Sequence, residues 1–194
     1  MALWICFEGL PGVGKSTAIA AVMAKLTAAG YQTRAFDADS SVDAQQLHDV
    51  AKRYPTGHKV RMMLQWTLRL LQFEAMRGVD DSLDVVIADR FYGSALVYDQ
   101  HANGVPPEVL SWALSGPMAV PALTFFFDAP IGVCRERKAG GAYTIKDDAF
   151  ARTLLSAYRA LAAEYGWVTI DATLSVADVA EICFQRIRKK VGET

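Results

Sequence analysis

Several things are scarce in this sequence, and each scarcity excludes something. Three cysteines, Cys6, Cys134 and Cys183, are too few and too widely spaced for a disulfide framework, and no C-x-x-C pair is present. They read as reduced, buried thiols of a cytoplasmic protein. An excess of either charge is also missing. Twenty Lys and Arg face 21 Asp and Glu, a net charge of −1, so no global field draws the chain to nucleic acid or an anionic membrane, and any anion site must be local. No apolar run approaches the ~20 residues of a membrane span. The opening "MALWICF" lacks a basic flank and a cleavage-like site, so it reads as a strand rather than a signal peptide. His48, His58 and His101 show no metal-ligand spacing. Repeats, low-complexity tracts and linkers are absent too, and at 52% apolar the 194 residues make one ordinary domain with a real core, spanning 1–194.

What is present is an alternation. Continuous apolar runs at 3–8, 32–37, 84–89, 122–128 and 167–171 are separated by helical patterns at about 15–29, 43–53, 58–77, 92–101, 107–115, 130–138, 147–165 and 175–190. Runs without polar alternation are expected in strands covered on both faces. The series predicts a three-layer α/β fold with a five-stranded parallel sheet flanked by helices. In such sheets ligands sit beyond the carboxyl ends of the strands, which directs attention to the acidic strand ends Glu8, Asp37, Asp89 and Asp128. On the 58–77 helix, Arg61, Gln65, Arg69 and Gln72 form a polar stripe about 120° wide at 100° per residue. It reads either as a solvated face or as the lining of a polar cleft. The remaining apolar arc is wider than one sheet face covers, so it predicts a second contact, with another subunit or with neighbouring helices.

Chemistry is concentrated in a few places. Gly9-x-x-x-x-Gly14-Lys15-Ser16 follows the first strand and opens the first helix, the context of a P-loop. Backbone N–H groups across Gly9, Gly12, Val13, Gly14, Lys15, Ser16 and Thr17 would wrap the phosphates of ATP. Lys15 would reach the β- and γ-phosphates, and Ser16 would ligate Mg²⁺. Asp89, at the end of the third strand, is placed to hold the same Mg²⁺, and Arg90 beside it offers a fork of donors to a phosphate. In "DAPIGVCRERKAGG" a basic helix runs into a Gly-Gly break, so Arg135, Arg137 and Lys138 would face the phosphates from a lid at about 135–148. Asp37, Asp39 and Asp43 follow the second strand. Asp37 is the candidate to deprotonate or orient an acceptor, and a helix cap is the alternative.

Taken together, these segments resemble the thymidylate kinase family of P-loop nucleoside monophosphate kinases over nearly the whole chain. "FEGLPGVGKST" is similar to that family's first strand and P-loop, "DRFYGSALVYD" to its Asp-Arg-aromatic segment with Ser94 and Tyr98 at the expected offsets, "PALTFFFDAPIGVCRERK" to its fourth strand and lid helix, and "WVTIDATLSVADVAEICFQRI" to its last strand and helix. The resemblance implies that Arg90 binds the acceptor's phosphate, Tyr98 packs on the deoxyribose and disfavours a 2′-hydroxyl, Arg69 reaches the base edge, and Arg137 is the first lid arginine. It also implies a homodimer joined through helices, and phosphorylation of a deoxynucleoside monophosphate, dTMP first among them.

The departures from the family concern the acceptor and the transition-state charge. "FDADSS" replaces an Arg-Glu-Pro-Gly-Gly segment. Pro11 stands where an acidic residue is common. The P-loop holds no arginine, Lys146 is the one cation of 139–147, and the stacking aromatic falls near Leu64 and Gln65. A deoxynucleoside kinase using Asp37 as base and Gln65 to pair with the nucleobase is therefore a competing expectation. So is a kinase for a modified nucleotide. A P-loop ATP-binding protein without kinase activity is a third, although no N-K-x-D motif marks a GTPase.

Overall fold

The computed structural model describes residues 2–37, 42–55, 58–78, 82–98, 120–138 and 147–193. Within these, the elements follow the expected alternation: β1 (Leu3–Gly9), α1 (Lys15–Ala28), β2 (Thr33–Phe36), α2 (Val42–Ala51), α3 (Lys59–Arg77), β3 (Val85–Asp89), α4 (Tyr92–Leu96), β4 (Leu123–Asp128), α5 (Ile131–Lys138), α6 (Asp148–Glu164), β5 (Val168–Asp171) and α7 (Val176–Val191). The expected helix at 107–115, and the lid residues 139–146, lie outside the described residues, as does Asp39. Of the helix expected at 92–101, Tyr92–Leu96 is α-helical and 97–98 form a wider π-type turn, and 99–101 lie outside the described residues.

Five parallel strands pair in the order β2-β3-β1-β4-β5. β1 is thus central, and its carboxyl end lies between those of β3 and β4. The continuous apolar runs are explained by burial: Ile5, Cys6, Phe7, Val85 to Ala88 and Phe125 to Phe127 are all inaccessible or nearly so. Strand side chains alternate between faces. Trp4, Cys6 and Glu8 of β1 therefore share one face, where Trp4 meets Phe73 of α3 edge-on. Phe126, the register partner of Glu8, stacks on Tyr158 of α6. α1 packs against α7.

Helix ends are set by local chemistry. Ser175 caps α7 by accepting from the Asp178 N–H and donating to its carboxylate, and Asp147 caps α6 by accepting from the Ala149 N–H. The α6 residues Leu154, Leu155, Tyr158, Leu161 and Ala162 repeat at three and four, which places them on one buried stripe. Much of the apolar arc of α3 is covered by the chain itself. Trp66, Leu68, Phe73 and Met76 are buried, α2 packs alongside, and Val60 and Met63 stay exposed.

Candidate active site

Beyond the carboxyl edge of the sheet lies a cleft of about 1260 Å³, larger than the 300–1,000 Å³ of a usual single-ligand pocket. Pro11 to Ala18 line one end and Asp37, Gln65, Arg69, Arg90 and Tyr98 the other. The volume suits two substrates end to end.

At the first end, β1 turns into α1 through three glycines with positive φ, Gly9 (142°), Gly12 (81°) and Gly14 (107°). Only glycine adopts such conformations without cost. Gly12 is doubly constrained, because a Cβ there would stand 2.2 Å from the Cys134 carbonyl oxygen. The loop is thereby seated on α5. Lys15 is buried and its Nζ donates to the carbonyls of Gly9 (3.3 Å) and Leu10 (3.2 Å). Burial, and then the nearby Arg90 charge, push its ammonium down to about 7. Ser16 Oγ donates to Asp89 Oδ2 at 2.9 Å. Two hard oxygens thus meet at the cleft from α1 and from β3. No cluster of three or more His, Cys, Asp or Glu side chains that could cage an ion exists among the described residues. A two-oxygen site fits Mg²⁺, which keeps water and substrate phosphates in its remaining positions.

Arg137 of α5 reaches back over this end. Its Nη1 donates to Val13 O (3.0 Å) and Ala172 O (2.8 Å), which ties the loop to the turn after β5. Lys138 lines the cleft beside it, and Ala172, Leu174, Val176 and Val179 supply an apolar wall. Arg135 does not join them, because it forms an ion pair with Asp148 at the start of α6.

At the second end the acidic strand termini part company. Asp37 and Asp89 line the cleft. Asp128 turns away into a bidentate pair with Arg159 (2.9 and 3.0 Å). Glu8 does not face the cleft either. It is wholly buried, and its Oε1 accepts from the Phe91 N–H (2.9 Å), the Ser94 N–H (3.0 Å) and the Cys6 thiol (3.5 Å). Its Oε2 accepts from Ser94 Oγ at 2.6 Å. The period-two alternation already put Glu8 on the Trp4–Cys6 face, under the helices rather than over the strand end. Its carboxylate therefore anchors the start of α4. Gly93 fits the same arrangement, since a Cβ there would lie 2.6 Å from Trp167 and 2.9 Å from Glu8 Oε1.

Arg90 has φ 65°, the left-handed region, and is the one described non-glycine residue found there. Both of its backbone polar atoms are engaged. Its N–H donates to Phe7 O (3.0 Å), and its carbonyl accepts from Gln72 Nε2 (2.9 Å) and Arg69 Nη1 (3.5 Å). Its side chain enters the cleft, with Nη1 donating to Ser94 Oγ and to Tyr158 OH, each at 3.1 Å.

The polar stripe of α3 resolves into two parts. Arg61, Gln65 and Arg69 line the cleft. Gln72 lies behind them, 3% exposed, accepting from Arg69 Nη1 (2.8 Å) and donating to Phe36 O (3.1 Å) as well as Arg90 O. One amide thus joins the ends of β2 and β3 to Arg69. Tyr98 lines the cleft with its ring edge-on to Phe150.

Every predicted site residue among 9, 12–17, 37, 65, 69, 89, 90, 98 and 137 falls in one neighbourhood. Sequence reasoning missed the structural use of Gln72 and Ser94, and the presence of His48 and Lys52 on the cleft wall. It also missed Tyr158 altogether. Gln72 carried a signal, being the stripe member nearest the strand ends. Tyr158 carried none beyond its place on the buried stripe of α6.

The thymidylate kinase family model matches residues 7–182. A thymidylate kinase of Cupriavidus pinatubonensis is 30% identical, covering 89% of this chain and 91% of its own. One of Nitrosomonas eutropha is 28% identical over 96% and 92% of the two chains, and a probable thymidylate kinase of Methanothermobacter thermautotrophicus is 27% identical over 90% and 88%. Central P-loop, Asp-Arg segment and matched span agree, and the chain belongs to the thymidylate kinase family.

Proposed function

We propose that this chain transfers the γ-phosphoryl group of ATP to the phosphate of a deoxynucleoside monophosphate, dTMP, giving ADP and dTDP. The observation that carries the reading is the adjacency of Asp89 and Arg90. Asp89 faces Ser16 at the donor end, while the next residue sends a guanidinium into the acceptor end.

The attacking oxygen belongs to the acceptor's phosphate and is already anionic at neutral pH. It forms a bond to the γ-phosphorus as the bond to the β,γ-bridging oxygen breaks, and the electron pair leaves with ADP. No proton need be removed, so Asp37 serves to orient the acceptor rather than as a base. The work left to the protein is alignment and charge neutralisation. The loop amides, Lys15 and Arg137 serve the donor phosphates. Arg90 holds the acceptor phosphate in line, with Arg69 and Gln65 toward the base and Tyr98 against the sugar. Ser16 and Asp89 would hold Mg²⁺, which when bound neutralises charge on the donor phosphate oxygens.

The unit of activity is the single domain with its lid at about 135–148. Two copies would pair through α3, where Val60 and Met63 stay exposed, and sedimentation equilibrium tests that pairing. Among the described residues no helix is long and apolar enough to cross a membrane.

The test of the reaction is ADP release measured against a panel of nucleosides and their monophosphates. Stimulation by dTMP is expected. Stimulation by unphosphorylated nucleosides alone would overturn the reading in favour of a nucleoside kinase, and release that no acceptor stimulates would overturn it in favour of a bare ATPase.

A further inference from the structure

The hydroxyl protons around Arg90 have a single consistent order. Nη1 of Arg90 carries two protons, and these account for its bonds to Ser94 Oγ and Tyr158 OH (3.1 Å each). Ser94 spends its own proton on Glu8 Oε2, at 2.6 Å. The proton in the 2.9 Å contact between Ser94 Oγ and Tyr158 OH must then come from the tyrosine. Tyr158 therefore accepts from Arg90 and donates to Ser94, which donates to Glu8, and each hydroxyl hydrogen has one place to go. The chain of bonds ends on a carboxylate fixed by two backbone N–H groups.

The tyrosine itself cannot swing. It is fully buried, and its ring lies on Phe126 with centroids 5.7 Å apart and planes 12° apart. Burial drives its phenol well above the usual range, so it stays a neutral hydroxyl at any working pH. With Nη1 committed, the Nε–Nη2 edge of Arg90 is the one left for a ligand among the described residues. That edge is the planar fork that matches two oxygens of a phosphate.

We propose that Tyr158, 68 residues from Arg90 and on helix α6, is a positioning residue for the acceptor phosphate. It holds one side of the Arg90 guanidinium so that the Nε–Nη2 edge faces the cleft. The proposal rests on the reading that Arg90 binds the acceptor phosphate, and the experiment keeps the two apart.

Tyr158→Phe keeps the ring and its stack on Phe126 and removes only the hydroxyl. Steady-state kinetics should show the KM for dTMP raised roughly tenfold, as expected for loss of one hydrogen bond to a charged group, with the KM for ATP within about twofold. In an Arg90→Ala background the same change should add nothing, because its effect passes through Arg90. An unchanged dTMP KM in Tyr158→Phe, where Arg90→Ala raises it, overturns the proposal and leaves the reading standing. An unchanged dTMP KM in Arg90→Ala removes the reading itself. A rise in both KM values together with a lowered melting temperature shows a structural role only and also overturns it. Should Tyr158→Phe fail to fold, Tyr158→4-fluorophenylalanine, which fills the space of the hydroxyl without its proton, carries the same test with the same outcomes.

Discussion

The P-loop end of the cleft is built largely on backbone and the Arg90 end largely on side chains. Residues 9 to 17 form the donor cradle as one continuous segment, and what matters there is where N–H groups point and where a Cβ cannot fit, as at Gly12. The cluster around Arg90 is assembled from α3, the turn after β3, α4, β1 and α6, and its parts are side chains that hold one another or, as Gln72 does, the Arg90 carbonyl. A continuous cradle is disturbed chiefly by change within itself or in the α5 residues that seat it. A dispersed clamp is exposed to changes far from the cleft, and those changes should alter one substrate's parameters and leave the other's alone.

The comparison can be broken most forcefully at Lys15. Lys15→Ala should lower kcat by about 10²–10³-fold, the usual cost of deleting one donor to transition-state charge, whichever acceptor is used. A variant retaining near-normal turnover in an ADP-coupled assay would show that the cradle does not carry the reaction. Arg90→Ala should act on the other end, raising the dTMP KM roughly 100-fold while the ATP KM moves less than about threefold. Equal effects on both substrates would dissolve the distinction between the two ends.

Gln72→Met tests whether the dispersed clamp has a hub. It removes an amide engaged with Arg69, Phe36 O and Arg90 O. The expectation is a loss of about 1–3 kcal/mol in stability by denaturant titration and a several-fold rise in dTMP KM, with ATP binding intact.

The smallest effect is one of pH. The Lys15 ammonium is pushed down to about 7 by burial and then by Arg90, and a bound polyphosphate would raise it again. Below pH 7 the group is charged before and after binding, and its contribution is flat. Above pH 7 the free form is neutral, so binding takes up a proton and affinity falls as pH rises. Calorimetry at pH 8 in two buffers of different ionisation enthalpy should show uptake of roughly 0.9 proton, lost in Lys15→Ala. Zero uptake would mean that the free ammonium is already fully charged at pH 8.

The same contrast governs what could be read from the sequence. The runs of β1, β3 and β4 were legible because these inner strands are buried on both faces, and the cradle because its residues are consecutive. Asp89 and Arg90 were legible because they close an apolar strand. Glu8 and Asp128 looked equivalent to Asp89 as acidic strand ends, yet one is buried beneath α4 and the other is taken by Arg159. Which face a strand-end side chain takes, and which cation is near it, are tertiary facts. Arg135 and Arg137, two positions apart on one short helix, were expected to act together, but a helix turns about 200° over two residues, and only Arg137 reaches the loop. Tyr158 lay beyond sequence reasoning, and Gln72 showed only as a member of the polar stripe, because their roles exist only in the partners the fold brings to them.

The left-handed turn at Arg90 has one more consequence. Consecutive Cα atoms are 3.8 Å apart, and in an ordinary strand Asp89 and Arg90 would point to opposite faces of the sheet. The turn, held by Phe7 O on one side and Gln72 on the other, converts that opposition into a division along the cleft. The peptide between the two residues then acts as a gauge block: it fixes by covalent geometry the distance between the backbone roots of the Asp89 carboxylate and the Arg90 guanidinium, a dimension that thermal motion of the surrounding helices can tilt but cannot stretch.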